Sequence, residues 1–202
     1  MKVLVTGFDP FGGEPINPAL ETIKLLPSEI AGMEIHTLEI PTSAYKSLEI
    51  VKSAVDEINP DIVLSIGQAG GRPDITVEQV GINLNEFRIA DNAGAQPHDE
   101  PVFADGPDAY LVKLPVKKMV ENIRKQNIPA SISYTAGTFV CNHVLYGVAY
   151  MLAKRGQGQK NGFIHIPFLP NQVLDKPGKP SMSQQDILKG IIAAIEVLAD
   201  SE

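Results

Sequence analysis

The chain has 202 residues, of which 44% are hydrophobic and 20% charged, a balance that excludes a disordered protein and fits one domain over residues 1–202. Its net charge is −7, and no run of lysine or arginine supplies the basic patch that a nucleic acid needs. One cysteine excludes an internal disulfide, and no apolar run is long enough for a signal peptide or a membrane span. We therefore expect a cytoplasmic protein with neither nucleic acid nor membrane as a partner.

The first predicted elements alternate between strand and helix. Lys2 to Thr6 is a short apolar run typical of a buried strand. Asn17 and Pro18 are the residue types that favour the N-cap and first position of a helix. Glu34 to Ile40 follows as a second strand, and Ser43 stands before a long stretch with apolar residues at helical spacing.

The loop at 7–13 is rich in glycine and proline and contains two phenylalanines, Phe8 and Phe11, that look exposed. It lacks the lysine of a phosphate-binding P-loop and the glycine spacing of a dinucleotide site. Two hypotheses remain open for these rings. They line an apolar pocket for a small molecule, or they only fix the loop to the core.

The third predicted strand, Asp61 to Ile66, is apolar throughout, which is typical of the centre of a parallel sheet. Strands that alternate with helices predict a three-layer α/β fold around a mostly parallel, twisted sheet. Ligands in such folds bind outside the carboxyl ends of the strands. The glycine-rich segments 7–13 and 67–72 should therefore face one crevice.

Ile75 to Asn83 is predicted to be extended, with Glu78 among apolar neighbours. A carboxylate in this pattern is either a solvated residue of an alternating strand or a functional group. Residues 84–115 show little periodicity, and an irregular segment of that length is usually functional or part of an interface.

The second half of the chain continues the alternation. It predicts a helix over Val116 to Gln126, strands over Ser131 to Thr135 and Phe163 to Phe168, and a last helix from Ser183 to about Leu198. Ser183 and Asp186 have the spacing of a capping box for that last helix.

Cys141 is placed at the start of a further helix, which Gly156 ends. Unpaired amide groups and the positive end of the helix dipole both favour a thiolate there, so Cys141 is a candidate nucleophile. The alternative is an inert cysteine of the core. A nucleophilic cysteine usually needs a histidine as its base.

Of the four histidines, His165 is the best candidate for that base, because it lies near the carboxyl end of the last strand. His143 is only two positions from Cys141, and helical side chains at that spacing do not face each other. Zinc bound by Cys141, His143 and His165 is a weak alternative, because the spacing matches no established zinc motif.

Several stretches together resemble the pyroglutamyl peptidase I family (pyrrolidone-carboxylate peptidases), in the family's order and spacing from Val3 to Met182. They are Gly7 to Gly13, Gly67 to Arg72, Glu78 with Val80, Ile82 and Asn83, Arg88 to Asn92, Ala136 to Asn142, and Phe163 to Pro167.

The resemblance implies a cysteine exopeptidase that removes N-terminal pyroglutamate, with Cys141 as nucleophile, His165 as general base and acid, and Glu78 orienting His165. It places Arg88 beside the oxyanion. Around the pyroglutamyl ring it places Phe8, Phe11, Thr42, Ile89, Phe139 and Val140, with Gln68 nearby. It also implies an α/β/α sandwich that assembles as a tetramer, and no step requires a metal or another cofactor.

The sequence departs from the family pattern at several positions. Gln79 stands where arginine or lysine is usual, and Asn85-Glu86-Phe87 replaces an aspartate-rich segment before Arg88. Ala19 and Leu20 follow Pro18 where a serine and an aromatic residue are frequent. None of these changes touches the three implied catalytic residues.

Two other functions remain possible from the residues alone. A nucleoside phosphorylase-like transferase would use Gly70, Gly71 and Arg72 to hold phosphate, and Cys141 would be incidental. A catalytically inactive binding module is the other, although intact Cys141, Glu78 and His165 argue against it.

Overall fold

The computed structural model describes residues 1–199 and contains nine strands and five α-helices within that range. The strands are β1 (Lys2–Phe8), β2 (Glu29–Ile30), β3 (Met33–Ile40), β4 (Ile62–Gln68), β5 (Ile75–Glu78), β6 (Val80–Ile82), β7 (Ala109–Leu111), β8 (Ala130–Ser133) and β9 (Lys160–Ile166). The helices are α1 (Pro18–Ile23), α2 (Ala44–Ile58), α3 (Val116–Lys125), α4 (Val140–Arg155) and α5 (Gln184–Glu196). A short 3₁₀ turn covers Pro170–Gln172.

Helices cover both faces of a seven-stranded sheet with the order β2-β3-β1-β4-β9-β5-β8. Helix α5 packs against both α1 and α3 on one face, whereas α2 and α4 pack together on the other. This arrangement confirms the predicted three-layer α/β/α sandwich. The single domain over 1–202 stays a prediction, and its last three residues lie outside the described ones.

The parallel part of the sheet consists of β3, β1, β4 and β9. Strand β4 lies between β1 and β9, and Ile62 to Ile66 is buried from end to end. A strand that is covered on both faces needs apolar side chains in both directions. The predicted central position of this strand is therefore confirmed.

The two strands at the other side, β5 and β8, run antiparallel to β9, which the sequence pattern did not predict. Only residues 69–74 connect β4 to β5. A parallel return needs a crossover of about a dozen residues or more. The short connection therefore delivers β5 in the opposite direction, on the far side of β9.

The predicted extended segment from Ile75 to Asn83 is split at Gln79, which corrects the prediction of one continuous element. Its second part, β6, leaves the main sheet and pairs with β7. The irregular segment between β6 and β7 is folded on itself, because the amide of Phe87 donates to the carbonyl of Pro97 at 2.9 Å and Asn85 pairs with Glu100. It covers the amino end of α4 rather than extending into solvent.

Candidate active site

Three residues on neighbouring strands define one row across the sheet. Gly67 of β4 is paired with His165 of β9, and His165 is paired with Thr76 of β5. Paired residues on adjacent strands direct their side chains to the same face of a sheet. Side chains alternate along a strand, so Glu78 lies on that same face two positions after Thr76.

The central contact of this face joins two buried titratable groups. Nδ1 of His165 lies 2.7 Å from Oε1 of Glu78, and the two side chains are 4% and 0% exposed. Burial alone raises the pKa of the Glu78 carboxyl, but hydrogen bonds from His165, Ser133 and Arg72 outweigh it and leave that pKa below its usual value. Glu78 is therefore a carboxylate at neutral pH.

His165 is the neutral partner. Burial lowers the pKa of its imidazole, and the carboxylate of Glu78 opposes that effect only in part. A neutral imidazole that donates from Nδ1 to Glu78 keeps Nε2 as an acceptor. The arrangement fixes one tautomer of His165 and leaves a free base on the other side of the ring.

Cys141 is the second residue of α4, where Phe139 occupies the N-cap position. The first helical hydrogen bond runs from the amide of His143 to the carbonyl of Phe139 at 3.1 Å, so the amides before His143 precede the helical ladder. The predicted helix is confirmed, and Gly156 ends it in a left-handed conformation with φ of 67°.

The helix start favours a thiolate at Cys141, but the burial of the side chain opposes it. Burial raises the pKa of its thiol to about 12, and the charge of Glu78 adds to the increase. The charge of Arg72 and the backbone amide of Cys141 lower it, but not enough to compensate. In the free protein Cys141 is therefore a neutral thiol beside a neutral imidazole.

The missing side chain of Gly67 makes room for this thiol. A Cβ atom added there would lie 3.1 Å from Sγ of Cys141 and 2.8 Å from Cζ of Phe163. Since Gly67 is paired with His165, the thiol and the imidazole lie over neighbouring positions of one sheet face. The structure thus brings together Cys141, His165 and Glu78, as the family resemblance implied.

The aromatic residues of the predicted pocket divide into two groups. Phe11 and Phe139 are both half-buried, with ring centroids 6.2 Å apart. Phe8 is not an exposed loop residue, which corrects the sequence interpretation: it is the last residue of β1, is 2% exposed and packs against Phe163. Phe11 therefore presents more surface to a ligand than Phe8 does.

The remaining predicted pocket residues lie on segments that are tied to the same region. The amide and hydroxyl of Thr42 both donate to Asp9, and Asn92 donates to Asp9 and to the carbonyl of Pro10. These bonds hold the loop after β1 against the segment that carries Arg88 and Ile89. Oε1 of Gln68 accepts from Nε2 of Gln172 at 2.9 Å, and Val140 is fully buried.

Arg88 differs from the other predicted residues because nothing in the described part of the chain holds it. Its side chain is exposed and makes no hydrogen bond or ion pair with residues 1–199. Ile89 beside it is also exposed. Their roles toward a substrate stay predictions.

Sequence reasoning missed several residues that build the site. Asn142 fixes the first turn of α4, since its amide donates to the carbonyls of Ile82 and Leu84 and accepts from the amide of Ile82. Phe87 is fully buried, and its ring centroid lies 4.7 Å from that of Phe139. Their only sequence signals were an asparagine directly after the cysteine and an apolar residue in a polar segment.

The structure shows where the residues that depart from the family pattern lie relative to the site. Phe87 supports the pocket ring Phe139 from behind, and Gln79 donates from its side chain to the carbonyl of Val112 at 3.3 Å. Neither residue has a hydrogen bond to Glu78, His165 or Cys141. The changed positions therefore affect the surroundings of the site and not its central contacts.

Between residues 1 and 199, no group of three or more His, Cys, Asp or Glu side chains is arranged to hold a metal ion. No helix in this range is long and apolar enough to cross a membrane.

A partly buried cysteine at a helix start, a histidine on the same sheet face and a carboxylate bonded to that histidine are the parts of a cysteine hydrolase. Comparison with known proteins agrees. The family model for pyroglutamyl peptidase matches residues 1–201. The pyrrolidone-carboxylate peptidase of Treponema denticola is 61% identical over 205 residues, which cover 100% of this chain and 94% of that protein.

The relative from Finegoldia magna, with the same name, is 57% identical and covers 100% of this chain and 95% of its own. Among solved structures, pyroglutamyl peptidase I of Bacillus amyloliquefaciens is 47% identical with a TM-score of 0.95, covering 100% of this chain and 96% of the other. A mutant pyrrolidone carboxyl peptidase of Pyrococcus furiosus is 40% identical with a TM-score of 0.95 and 99% coverage of both chains. The chain belongs to the pyroglutamyl peptidase family, a family of cysteine peptidases.

The position of Gly67 generates a prediction. Gly67→Ala should lower the turnover number by roughly 10- to 100-fold, because the added methyl group displaces the thiol from its place beside His165. The measurement is steady-state hydrolysis of a pyroglutamyl anilide, with the concentration of folded enzyme taken from circular dichroism.

Gly162→Ala is the matched control. Its Cβ atom would crowd Cδ1 of Leu114 at 2.5 Å, but it lies in β9 on the opposite face of the sheet from His165. It should reduce stability without reducing turnover per folded molecule. Full turnover in Gly67→Ala would show that the thiol does not depend on this space.

Proposed function

We propose that the chain is a cysteine exopeptidase that hydrolyses the amide bond after an N-terminal pyroglutamyl residue, with Cys141, His165 and Glu78 as its catalytic groups. The observation that supports this most directly is the buried Glu78–His165 hydrogen bond beside the helix start that carries Cys141. Family membership supports the same reaction.

The resting protonation states suggest how the reaction starts. Because the pKa of Cys141 is raised and that of His165 is lowered, the proton rests on Sγ before the reaction. Nε2 of His165 takes this proton as the sulfur attacks the substrate carbonyl carbon. Amides of the first turn of α4, together with Arg88, stabilise the negative oxygen of the tetrahedral intermediate. The imidazolium formed is stabilised by the carboxylate of Glu78.

The tetrahedral intermediate then collapses as in other acyl-transfer reactions. The carbon–nitrogen bond breaks, and His165 gives its proton to the departing amine, which leaves a thioester on Cys141. A water molecule attacks that thioester with His165 again as base, and pyroglutamate and the free thiol result. No cofactor takes part in any of these steps.

The pocket suits a compact lactam. Pyroglutamate lacks the charged amino terminus that other exopeptidases bind with carboxylates or metals, so its site needs apolar walls and a few amide hydrogen bonds. Phe11 and Phe139 supply the half-buried rings, with Phe8, Val140, Thr42, Gln68 and Ile89 as the further lining residues. Gln172 holds the side chain of Gln68 in one orientation.

Two further predictions accompany this function, one on the oligomeric state and one on the cellular location. We propose from family resemblance that the chain assembles as a homotetramer, which light scattering at several protein concentrations would test. A cytoplasmic location is proposed as well, and cell fractionation would test it.

The phosphorylase alternative has lost its main support. The guanidinium of Arg72 is bound to Glu78, Thr76 and the carbonyl of Thr135, so it is not a free phosphate ligand. An inactive binding module would have no need for the buried Glu78–His165 pair.

The nucleophile generates the first prediction for this function. Cys141→Ala should abolish hydrolysis of pyroglutamyl amides while leaving the fold intact, because Sγ forms the acyl-enzyme. Iodoacetamide should inactivate the wild-type protein with one label per chain, since Cys141 is its only cysteine. Near wild-type turnover in the alanine variant would end the cysteine-peptidase proposal.

The second prediction for this function concerns Glu78. Glu78→Gln should lower the turnover number by about 100-fold or more and change the Michaelis constant little, because the orientation of His165 matters in the transition state. Steady-state kinetics with a pyroglutamyl coumarin amide measures both constants. A raised Michaelis constant with unchanged turnover would instead make Glu78 a binding residue.

The third prediction concerns the specificity of the pocket for the lactam ring. A prolyl substrate lacks the ring carbonyl and adds a charged amine, which leaves a buried donor of the site unpaired at a cost of about 1–3 kcal/mol and adds the desolvation of a cation. Prolyl amides should therefore react at least roughly 100-fold more slowly than pyroglutamyl amides. Equal catalytic efficiencies would show that the pocket does not select the lactam.

A further inference from the structure

Arg72 lies between β4 and β5, at the edge of the candidate active site. Its side chain is 31% exposed, yet its guanidinium reaches into the buried face of the sheet. Nη1 lies 2.6 Å from Oγ1 of Thr76 and 2.7 Å from Oε1 of Glu78, and Nη2 donates to the carbonyl of Thr135 at 3.0 Å. One side chain thus contacts two separate segments of the site, β5 and the chain that leaves β8.

The bond to Glu78 is not an ordinary surface ion pair. Glu78 is 0% exposed, and its Oε1 accepts from both Arg72 and His165. Its Oε2 has no hydrogen-bond partner among residues 1–199. Within residues 1–199, Oε1 is therefore the paired oxygen of this carboxylate, and Arg72 supplies one of its bonds. A buried carboxylate depends strongly on each such bond.

The bond to Thr135 connects Arg72 to the nucleophile. Thr135 lies in the loop that leads from β8 into α4, and its carbonyl also accepts from the hydroxyl of Ser133 at 3.0 Å. Oγ1 of Thr135 accepts from the amide of Gly137 at 3.1 Å. The conformation of this loop determines where α4 starts and therefore where Cys141 lies.

We propose that Arg72 is a positioning residue for the reaction: its guanidinium holds Glu78 in the orientation that directs His165 and fixes the loop that presents Cys141. This inference rests on the proposed function, since it assigns a residue of the same site. The planar fork of arginine suits the task, because Nη1 and Nη2 bond two acceptors in fixed directions, which a lysine cannot do.

The charge of Arg72 has a measurable consequence. The titratable groups around it are Glu78, His165 and Cys141. Its hydrogen bond lowers the pKa of Glu78, and its positive charge lowers the pKa of His165 and of Cys141. Without that charge the three pKa values rise. Because His165 must be neutral to act as base, the acid limb of the rate profile should then move to higher pH.

The test compares Arg72→Met with Arg72→Lys by steady-state kinetics between pH 5 and pH 9. We expect Arg72→Met to lower the turnover number by about tenfold or more, with a smaller change in the Michaelis constant and an acid limb shifted to higher pH. Arg72→Lys keeps the charge and loses the fork, so it should lose turnover but keep the wild-type acid limb. Wild-type turnover and pH profile in Arg72→Met would overturn the proposal.

Arg155→Met is the matched control for the loss of an ion-paired arginine. Arg155 is partly buried and pairs with Asp56, between α4 and α2. It should lower the thermal midpoint without changing turnover per folded molecule. If Arg72→Met behaves like Arg155→Met, Arg72 is only a structural residue and the proposal fails.

A double-mutant cycle tests whether Arg72 acts through Glu78. In the Glu78→Gln background, Arg72→Met should lower turnover by a smaller factor than it does in the wild type, because the carboxylate it holds is gone. Equal factors in both backgrounds would contradict the proposal. If Arg72→Met does not fold, the same cycle is measured with Arg72→Lys, which keeps the charge beside Glu78.

A last measurement separates this proposal from the proposed function. The rate of alkylation of Cys141 by iodoacetamide needs no peptide, and its rise with pH should move to higher pH in Arg72→Met. Wild-type protein that is alkylated in this Arg72-dependent way but hydrolyses no pyroglutamyl amide would refute the peptidase function alone. An unshifted alkylation profile together with normal hydrolysis would refute the role of Arg72 alone.

Discussion

The buried carboxylate of Glu78 is the constraint on which the site depends. A charge removed from water must be paired and hydrogen-bonded, or it takes up a proton instead. Here the imidazole of His165 and the guanidinium of Arg72 both donate to one oxygen, and together they keep Glu78 ionised. Because those donors come from β9 and from the β4–β5 connection, the charge also fixes two separate segments against β5.

The sheet topology makes this pairing possible. A short connection after β4 reverses the direction of β5, and the reversal places Thr76 opposite His165 with Glu78 next to it on the same face. The same reversal brings β8 beside β5, so that the chain leaving β8 passes Arg72 and enters α4 at Cys141. The mixed part of the sheet is therefore the part that assembles the proposed catalytic groups.

The ends of several helices could be predicted from local sequence patterns. The N-cap of α1 is confirmed by the bond from the amide of Ala19 to Asn17, and the cap of α5 by the bond from the amide of Asp186 to Ser183.

The direction of β5 could not be predicted, because it depends on which strand lies next to it in space. Arg72 was noticed only as a phosphate ligand, since the sequence places it six residues from Glu78 but does not show that their side chains meet. The burial of Phe8 was missed for a similar reason: the sequence pattern starts the glycine-rich loop at Gly7, whereas β1 continues through Phe8.

The resting state of Cys141 shows how burial competes with the helix terminus. Free amides and the positive end of α4 favour a thiolate, but the surrounding apolar side chains and the nearby charge of Glu78 favour the thiol, and these win. A neutral thiol cannot attack a carbonyl without giving up its proton, so the step depends on an imidazole whose Nε2 is in place when the substrate arrives. The fixed tautomer of His165 meets that need. For the proposed reaction, the geometry of the Glu78–His165 pair therefore matters more than a thiolate that is present before the substrate binds.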